Sequence, residues 1–486
     1  MRTLAILLIF LIFNLQINLS NLAFSEVLFE EPIDMTFQTE CKLNEFCEKY
    51  IDDIDIEKFI QGEIKSDYIV VSLDECIKTA LRNNFNIQIQ DYNFQSSKFE
   101  YQNYLTKFLP IFNVTSYIAD YSGQILVGGV LRDNFHETAI SVNLTAEHKL
   151  TEGGKQIFEA RAAYDLQRAR KHEFNFTITE TVYYASIYYY EMLLAKLNIE
   201  IYLRNLIERN AQLTLAKKLK HSGFGTHFDV IRSENEAAQA KVSLLKALND
   251  FRLSQTQLAN VMGIDVKTAL MPFENDVKPL NLINKDVNID ELFKLALSNR
   301  EDLKSYKNLI GYEKQIKNVY MTDFIPKPLI EFQQQFQGTL SASIRPNYIM
   351  AGYLTWQPGE NLAFGTITKI KSQKAKIKAK ILEYENKLRN IEEALVKAKS
   401  TTDFNRKQMT ITKLRMEYSK ESIKLAMLRF NNGKGILLDV IQAQSEMTQA
   451  RVEYVSAIVK YNISQIEILY NCGTINDETI IKNYKP

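Results

Sequence analysis

The sequence predicts a mainly α-helical fold with a membrane β-barrel portion, built from long antiparallel coiled-coil helices and four strands per chain. Three observations predict this fold class. The 486-residue chain contains one unit twice, and each copy holds a stretch of 67 residues without proline or glycine. Each copy also has two short segments in which apolar and polar residues alternate, as they do in a strand with one apolar face.

The N-terminal part of the chain differs in composition from the rest. A short apolar run behind an N-terminal arginine is typical of a signal peptide, which we place at residues 1–25. A retained transmembrane anchor is the alternative, although the apolar run is shorter than the ~20 residues that a spanning helix needs. Residues 26–67 hold 13 acidic and 4 basic side chains. Within them, Cys41 and Cys47 could form a disulfide after export.

The duplication becomes visible when the chain is aligned with itself. With an offset of 210 residues, Gly223 falls on Gly433 and Asp229 falls on Asp439. With an offset of 216 residues, the segment SLDECIKTALRNN falls on NIDELFKLALSNR. The chain therefore divides into a signal peptide, an acidic extension, a first repeat, a linker, a second repeat and a tail: 1–25, 26–70, 71–263, 264–287, 288–473 and 474–486.

Two long helices and their shorter neighbours follow from the placement of proline and glycine. The stretches 156–222 and 366–432 lack both residues and predict helices about 100 Å long. The segments 72–108 and 227–262 predict two shorter helices, stacked end to end beside the first long one. Each unit then consists of one long helix beside two shorter ones.

A seven-residue repeat in the returning helices predicts a coiled-coil seam, with small residues three positions after most of its members. An ordinary antiparallel helix bundle is the alternative interpretation. The repeat consists of Val230, Ala237, Leu244, Phe251 and Leu258 in the first copy and Val440, Met447, Tyr454, Tyr461 and Ile468 in the second. The small residues are Ser233, Ala240, Ala247 and Ser254, and Ala443, Ala450, Ala457 and Ser464.

The four predicted strands are residues 111–118, 139–147, 329–336 and 348–356. Four strands cannot close a barrel, and open strand edges are not tolerated in lipid. Several chains must therefore contribute strands to one barrel. Two chains would give eight strands and three would give twelve, and these segments alone leave that choice open. The last segment carries aromatic residues suited to a membrane interface: Tyr348, Tyr353 and Trp356.

Each long helix is followed by a glycine-containing reversal, HSGFG in the first copy and NNGKG in the second. The alternative for NNGKG is a phosphate-binding loop. Such a loop has the form G-x-x-x-x-G-K-S/T and follows a strand, whereas the residues before NNGKG are helical in pattern. We expect Gly223, Gly225, Gly433 and Gly435 to adopt positive φ angles in tight turns between antiparallel helices.

Composition and motifs exclude several classes of function. The 59 basic residues are balanced by 58 acidic ones, and this balance argues against nucleic acid as a partner. The sequence has no paired nucleophile and base, no metal-ligand spacing and no phosphate loop, so we predict neither an enzyme nor a bound metal or cofactor. Cys76 and Cys472 lie on helical patterns and are expected in the core.

The chain resembles the TolC family of outer-membrane efflux and export channels. The resemblance covers residues 70–473 and rests on the paired LDExxxxAL-type openings at 72–81 and 288–297, on Pro110 and Pro326 before strands, and on the paired G-x-G…DV turns. It implies a homotrimer with a shared twelve-stranded barrel in the outer membrane of a diderm bacterium, and a helical barrel that crosses the periplasm.

The same resemblance implies a passive duct of a tripartite efflux or type I secretion system, docked to a periplasmic adaptor protein and an inner-membrane pump. A structural coiled-coil protein of the cell surface, without transport activity, is the alternative. That alternative would explain the heptads, but neither the alternating strands nor the duplication.

The resemblance also places functional residues at the helix reversals. Gly223 and Gly433, with Gly225 and Gly435 beside them, would contact the hairpins of the adaptor protein. Three copies of Asp439 would form an acidic ring at the periplasmic entrance, and such a ring favours cations.

The expected closing network departs from the family pattern. Asp229 matches an acidic member of that network, whereas Gln442 stands where a second aspartate is expected. Phe430 takes the place of a tyrosine and lacks its hydroxyl, and Lys434 lies beside the position of an arginine. The alternative role for both aspartates is to cap the helix that each one begins, and the two roles are compatible.

Overall fold

The computed structural model describes residues 68–127, 130–284, 287–339, 343–356 and 363–475. The predicted signal peptide, the acidic extension up to residue 67 and the Cys41–Cys47 pair lie outside the described residues. The domain bounds drawn from the sequence stay predictions.

Long helices and a small sheet make up the described part of the chain. Its helices are α1 Leu73–Asn83, α2 Phe85–Thr106, α3 Lys155–His221, α4 His227–Met262, α5 Ile289–Asn299, α6 Glu301–Met321, α7 Phe364–Asn431 and α8 Leu437–Cys472. Its strands are β1 Ile69–Val71, β2 Ile111–Val127, β3 Val130–Lys149, β4 Leu270–Pro272, β5 Lys327–Thr339 and β6 Arg345–Thr355. Short 3-10 turns at Thr151–Gly154 and Thr322–Phe324 join sheet and helices.

The two long helices set the dimensions of the fold. α3 contains 67 residues and α7 contains 68, so each is about 100 Å long, as predicted. Each reverses into a helix of 36 residues, α4 or α8. α3 lies at the centre of the structure, because it packs against α2 and α4 from the first half of the chain and against α6 and α8 from the second.

The predicted heptad seams are buried. All five heptad residues of α4 and four of the five in α8 are buried, and Tyr454 is half-buried. The small residues between them are buried as well, for example Ala240 and Ala450. Because alanine and serine occupy little space at these positions, the long and returning helices approach each other closely along their whole length.

The structure corrects one predicted helix. Residues 72–108 form two helices rather than one, because the backbone of Asn84 is extended, with ψ 122°. The Asn84 side-chain oxygen caps α2 by accepting hydrogen bonds from the amides of Asn86 and Ile87 at 2.8 and 3.3 Å. Its side-chain nitrogen donates to the carbonyl of Val261 at 2.8 Å. The break therefore joins α1, α2 and the end of α4 at one point.

The segment between the two halves is held in place by hydrogen bonds rather than left loose. β4 pairs in parallel with β1, with Ile69 opposite Leu270. Further along, the buried side chain of Asn462 on α8 accepts from the amide of Leu280 at 2.8 Å and donates to the carbonyl of Lys278 at 2.9 Å. These bonds attach the backbone of residues 278–280 to α8.

The four long strands form one antiparallel sheet in the order β2-β3-β5-β6. All four predicted strands are confirmed in position, although β2 and β3 extend well beyond the predicted segments, to 17 and 20 residues. β3 pairs with β5, so the sheet joins the two halves of the chain. β2 and β6 each have a neighbour on one side only, and the outer edge of each is unpaired in the described chain.

We expect Gly263→Ala to loosen the junction at Asn84 more than Gly433→Ala loosens its turn. Both glycines have φ near +67°, at +68° and +66°, so both variants incur left-handed strain. A Cβ at residue 263 would also lie 2.3 Å from the carbonyl oxygen of Asn83, whereas residue 433 faces open space. Overpacking of this kind costs a further ~1–3 kcal/mol. Amide hydrogen exchange at residues 83–87 in the first variant and at residues 430–434 in the second measures the two effects, and equal increases would contradict the prediction.

Candidate functional site

The four-stranded sheet has one apolar face and one polar face. The strand register places Ala146 opposite Phe332 and Phe332 opposite Met350, so these side chains share a face. The apolar face includes Phe112, Ile140, Val142, Phe332, Met350 and Leu354. The polar face includes Asn113, Asn143, Thr145, Gln333, Gln335 and Gln337.

The apolar face is uncovered in the single chain. Phe112 and Met350 are each 75% exposed, and Ile118 and Leu354 are nearly as exposed. An apolar face of this size is unfavourable in water and is stable against lipid or another protein. The opposite face suits water, since its amide and carboxylate side chains need hydrogen-bond partners. The sheet is therefore built to separate an apolar medium from an aqueous one.

The end of β6 marks the boundary between the sheet and the helices. Trp356 is 61% exposed, and its indole nitrogen donates to the carbonyl of Phe324 at 3.3 Å. Tyr353 and Tyr348, which precede Trp356 on β6, are also exposed, and the register places Tyr348 on the apolar face and Tyr353 on the polar face. Aromatic side chains with one apolar and one polar end are typical of the interface between a membrane and water.

The helix reversals at the opposite ends of α3 and α7 share one backbone geometry. Gly223 has φ +77° and Gly433 has φ +66°, as predicted, and a Cβ at either position would meet nothing within 4 Å. In the first reversal, the amides of Phe224 and Gly225 both donate to the carbonyl of Leu219 at 3.0 Å. These bonds satisfy a carbonyl at the end of α3 that has no partner within the helix.

The prediction of positive φ is wrong for Gly225 and Gly435. Neither has a left-handed backbone, and each instead lies against the last turn of the preceding helix. A Cβ at Gly225 would lie 3.0 Å from the Cβ of Leu219, and one at Gly435 would lie 3.1 Å from the Cβ of Arg429. The second glycine of each reversal is therefore needed for close approach rather than for an unusual backbone angle.

Asp229 caps the helix that it begins. Its carboxylate accepts from the amide and the hydroxyl of Thr226 at 2.9 and 2.6 Å, and the Thr226 hydroxyl accepts from the Asp229 amide at 3.1 Å. This is a reciprocal capping box. The hydrogen bonds from Thr226 lower the pKa of Asp229. Helix capping, the alternative role that the sequence predicts for this residue, is therefore observed for Asp229.

Asp439 occupies the corresponding position in the second reversal but forms no capping box. The residue at the cap position is Ile436, which has no side-chain hydrogen-bonding group. Asp439 is exposed, and its carboxylate has no hydrogen bond or ion pair within the part of the chain that the structure describes. One substitution between the repeats, threonine to isoleucine, thus leaves Asp439 free to interact with groups outside the chain.

The other predicted gate residues are not brought together in the single chain. Gln442 is exposed and donates to Glu446 at 3.3 Å, Phe430 is half-buried and Lys434 is exposed. No hydrogen bond or ion pair joins these three to either aspartate among the described residues. Their assignment to a gate stays a prediction.

A buried arginine near Asp439 is a candidate functional residue that the sequence did not reveal. Arg209 on α3 is 3% exposed, and both terminal nitrogens donate to the carbonyl of Ile441 on α8 at 3.2 Å. It also donates to the hydroxyl of Ser445 at 2.6 Å. Burial lowers the pKa of Arg209, while Glu236 and Glu208 act in the opposite direction.

Further polar contacts surround this arginine. Gln444 bonds to Gln212 and to Glu208, and the hydroxyl of Thr448 donates to Asn205 at 3.2 Å. The network fixes the first turns of α8, which carry Asp439, against α3. Its members are more than 230 residues apart in sequence, with separations of 232 to 243. The only signal in the sequence is a polar stripe along α3, at residues 205, 208, 209 and 212.

Both cysteines of the described part of the chain lie inside the fold. Cys76 and Cys472 are buried in the core, as predicted, and burial raises the pKa of both thiols, that of Cys472 to about 11. Such thiols are poor nucleophiles. No cluster of metal-ligating side chains occurs within the described ranges. Among the described helices, none is both long and apolar enough to span a bilayer.

No protein-family model and no curated protein matches the sequence. The fold is similar to that of the outer-membrane channel CmeC of Campylobacter jejuni, with a TM-score of 0.74 and 14% identity over 84% of this chain and 88% of that one. VceC, an outer membrane protein of Vibrio cholerae, matches with a TM-score of 0.70 and 15% identity over 82% and 96% of the two chains.

The open state of the MtrE outer membrane channel of Neisseria gonorrhoeae gives a TM-score of 0.68 and 16% identity over 83% and 89% of the two chains. This chain has the fold of outer-membrane channels. The resemblance to the TolC family is confirmed at the level of fold, and so are the long helices and the four strands of the predicted fold class. The closed barrel is not seen in the described residues of the single chain.

We expect Asp229→Asn to loosen the start of α4, and Asp439→Asn to leave the start of α8 unchanged. The first variant weakens a capping box worth about 1 kcal/mol, so amide exchange at residues 227–230 should rise about fivefold at neutral pH. Because folding lowers the pKa of Asp229, the capping contribution is complete above about pH 4 and is lost as pH falls through the lowered pKa. Hydrogen exchange measured by mass spectrometry provides the comparison, and equal responses of the two helices would contradict it.

Proposed function

We propose that this chain is the outer-membrane channel of a tripartite efflux or type I secretion system and acts as a passive duct rather than an enzyme. The observation that carries the proposal is the two-faced sheet with its unpaired edges. In lipid, the free backbone groups on β2 and β6 must find partners, so the sheet needs further strands. The likeness to solved outer-membrane channels supports the same conclusion.

Three copies of the chain close the barrel in this proposal. Edge strand β6 of one copy would pair with β2 of the next, which gives twelve strands with the apolar face toward lipid and the polar face toward water. The helices would then continue the duct into the periplasm. The outer membrane of a diderm bacterium is the expected location, with α3, α4, α7 and α8 on the periplasmic side.

An exposed heptad on α7 supports contact between copies. Phe404, Ile411, Tyr418 and Leu425 are spaced by seven residues, and each is at least half exposed in the single chain. A heptad of large apolar residues predicts a seam with another helix, and here that helix must come from another chain. On α2, a second exposed apolar stripe offers a further contact surface: Phe85, Ile89, Tyr92 and Phe99.

The reversals at the far ends of the long helices would then form the periplasmic tip. A periplasmic adaptor protein, itself bound to an inner-membrane pump, would dock at Gly223 and Gly433. The open space around both glycines leaves room for a partner helix to approach the backbone. Three copies of Asp439 would surround the entrance, since this carboxylate is exposed and has no partner within the described chain.

A structural stalk of the cell surface is the remaining alternative, and conduction separates the two functions. We expect the purified protein to produce a cation-favouring current in a planar bilayer, blocked by trivalent cations. Asp439→Asn should reduce the cation preference several-fold, because it removes the charge of the ring. Asp229→Asn is the matched control, since that carboxylate is engaged in a cap. A protein that never conducts, even as Asp439→Ala, would contradict the channel.

A second experiment tests the tip. Gly433→Pro should impair docking of the adaptor, because proline cannot adopt φ +66° and cannot donate the hydrogen bond from residue 433 to the Phe430 carbonyl at 3.0 Å. Gly433→Asn separates the two causes, since asparagine tolerates a left-handed backbone but places a side chain in the space that the partner helix would occupy. Export and cross-linking to the adaptor measure docking, and size-exclusion chromatography measures assembly. Undiminished export by the proline variant would show that the tip lies elsewhere.

A further inference from the structure

A dense group of lysines occupies the start of α7. Between residues 364 and 382 there are six lysines and no acidic residue. The whole chain carries 59 basic and 58 acidic residues, so this excess is local. The lysine cluster consists of Lys369, Lys371, Lys374, Lys376, Lys378 and Lys380.

We propose that the lysine cluster binds the anionic headgroups of phospholipids in the membrane leaflet nearest the helices. The inference rests on the proposed function, because it requires the sheet to lie in a membrane. Polybasic segments next to a membrane-embedded element attract anionic lipid in this way.

The corresponding helix of the first half has no such cluster. The start of α3, residues 155–173, holds five lysines and arginines together with three acidic residues. Two of the five form ion pairs there: Lys155 Nζ lies 3.9 Å from Glu159 Oε1, and Arg170 Nη1 lies 2.7 Å from Glu173 Oε2. On α7, Lys371, Lys374 and Lys378 are exposed and form no ion pair in the described part of the chain. Their charges are therefore available to a partner outside the chain.

The cluster begins at the edge of the sheet. Trp356, at the end of β6, donates to the carbonyl of Phe324, and the adjacent Asp323 accepts from the hydroxyl of Thr366 in the first turn of α7 at 3.4 Å. Trp356 and the first turn of α7 are therefore hydrogen-bonded to two neighbouring residues, Phe324 and Asp323. Lys369 follows Thr366 by one turn, so the first lysines lie within about 5–8 Å of this boundary along the helix axis.

The lysines form two stripes on α7. Lys371, Lys374 and Lys378 share one face, and Lys369, Lys376 and Lys380 share another. Between the stripes, Gln373 is 2% exposed and donates to the carbonyl of Glu313 on α6 at 3.1 Å. The stripes thus flank the face that packs on α6. In a wall of helices, one stripe faces outward and the other faces the lumen.

The side-chain direction favours lipid over a partner deeper in the periplasm. Long side chains on an α-helix lean toward its N-terminus, which for α7 is the end beside the sheet. Lysine stems are flexible and apolar, so they can lie along the helix while the ammonium group reaches the headgroups. The first three lysines lie within about two Debye lengths of the boundary at physiological ionic strength.

The chain contains its own reporter for this test, because Trp356 is its one tryptophan. We would reconstitute the full-length protein in mixtures of phosphatidylglycerol and phosphatidylcholine, with one of the two lipids brominated high in the acyl chain. Bromine quenches tryptophan fluorescence on contact, so the quenching gives the relative association constant of the two lipids beside Trp356. We expect phosphatidylglycerol to be favoured by at least about fivefold at low salt, and by much less in 0.5 M salt.

Matched variants assign the preference to α7. Each stripe is replaced with glutamine, as Lys371→Gln, Lys374→Gln and Lys378→Gln, or as Lys369→Gln, Lys376→Gln and Lys380→Gln. The variant that lacks Lys371, Lys374 and Lys378, whose charges are unpaired in the described chain, should bring the ratio close to 1, and the other triple variant should retain the preference. The control removes three cations from the start of α3: Arg161→Gln, Arg168→Gln and Lys171→Gln.

The outcomes separate this inference from the proposed function. Loss of the preference in one or both α7 variants, with the α3 control unchanged, supports lipid binding. An equal association of both lipids with the unmodified protein overturns it, and so does a preference that survives both α7 variants. Altered ion selectivity without any lipid preference overturns it too, since the lysines would then act in the lumen. If no brominated lipid quenches Trp356 at all, the sheet does not reach lipid, and the proposed function itself fails.

Discussion

The need to pair the outer edges of the sheet governs this molecule. β3 and β5 satisfy each other inside one chain, but β2 and β6 leave a row of backbone donors and acceptors that neither lipid nor the chain can satisfy. The amphipathic pattern of the sheet adds a second constraint, since its apolar face must be shielded from water and its polar face must stay in contact with water. In the proposed barrel, closure with other copies would meet both constraints at once, and the helices would share the symmetry of that closure.

Much of the helical fold follows from short-range rules in the sequence. The absence of proline and glycine predicted the lengths of α3 and α7, and the heptads of α4 and α8 predicted which side chains are buried. The break at Asn84 did not follow from those rules. Asparagine is tolerated within a helix, and the carbonyl of Val261 that fixes its side chain lies 177 residues away. Tertiary contacts, rather than local propensity, decided that boundary.

The candidate site was predictable to the same extent. The reversals and the two aspartates follow from glycine spacing and from the duplication. The roles of those residues depend on their neighbours: Thr226 makes Asp229 a cap, and Ile436 leaves Asp439 free. The buried Arg209 could not be predicted, because a lone arginine on a long helix is normally solvated. Only the fold brings the carbonyl of Ile441 within its reach.

The unequal caps also have a consequence for symmetry. Three chains with two reversals each would surround the duct with six near-equivalent hairpins, yet one set has its carboxylate committed to its own backbone and the other does not. A partner that contacts all six hairpins would therefore encounter free and hydrogen-bonded carboxylates in alternation. In such a trimer the duplicated architecture would supply sixfold geometry, and the different caps of the two reversals would reduce it to a threefold pattern with a defined register.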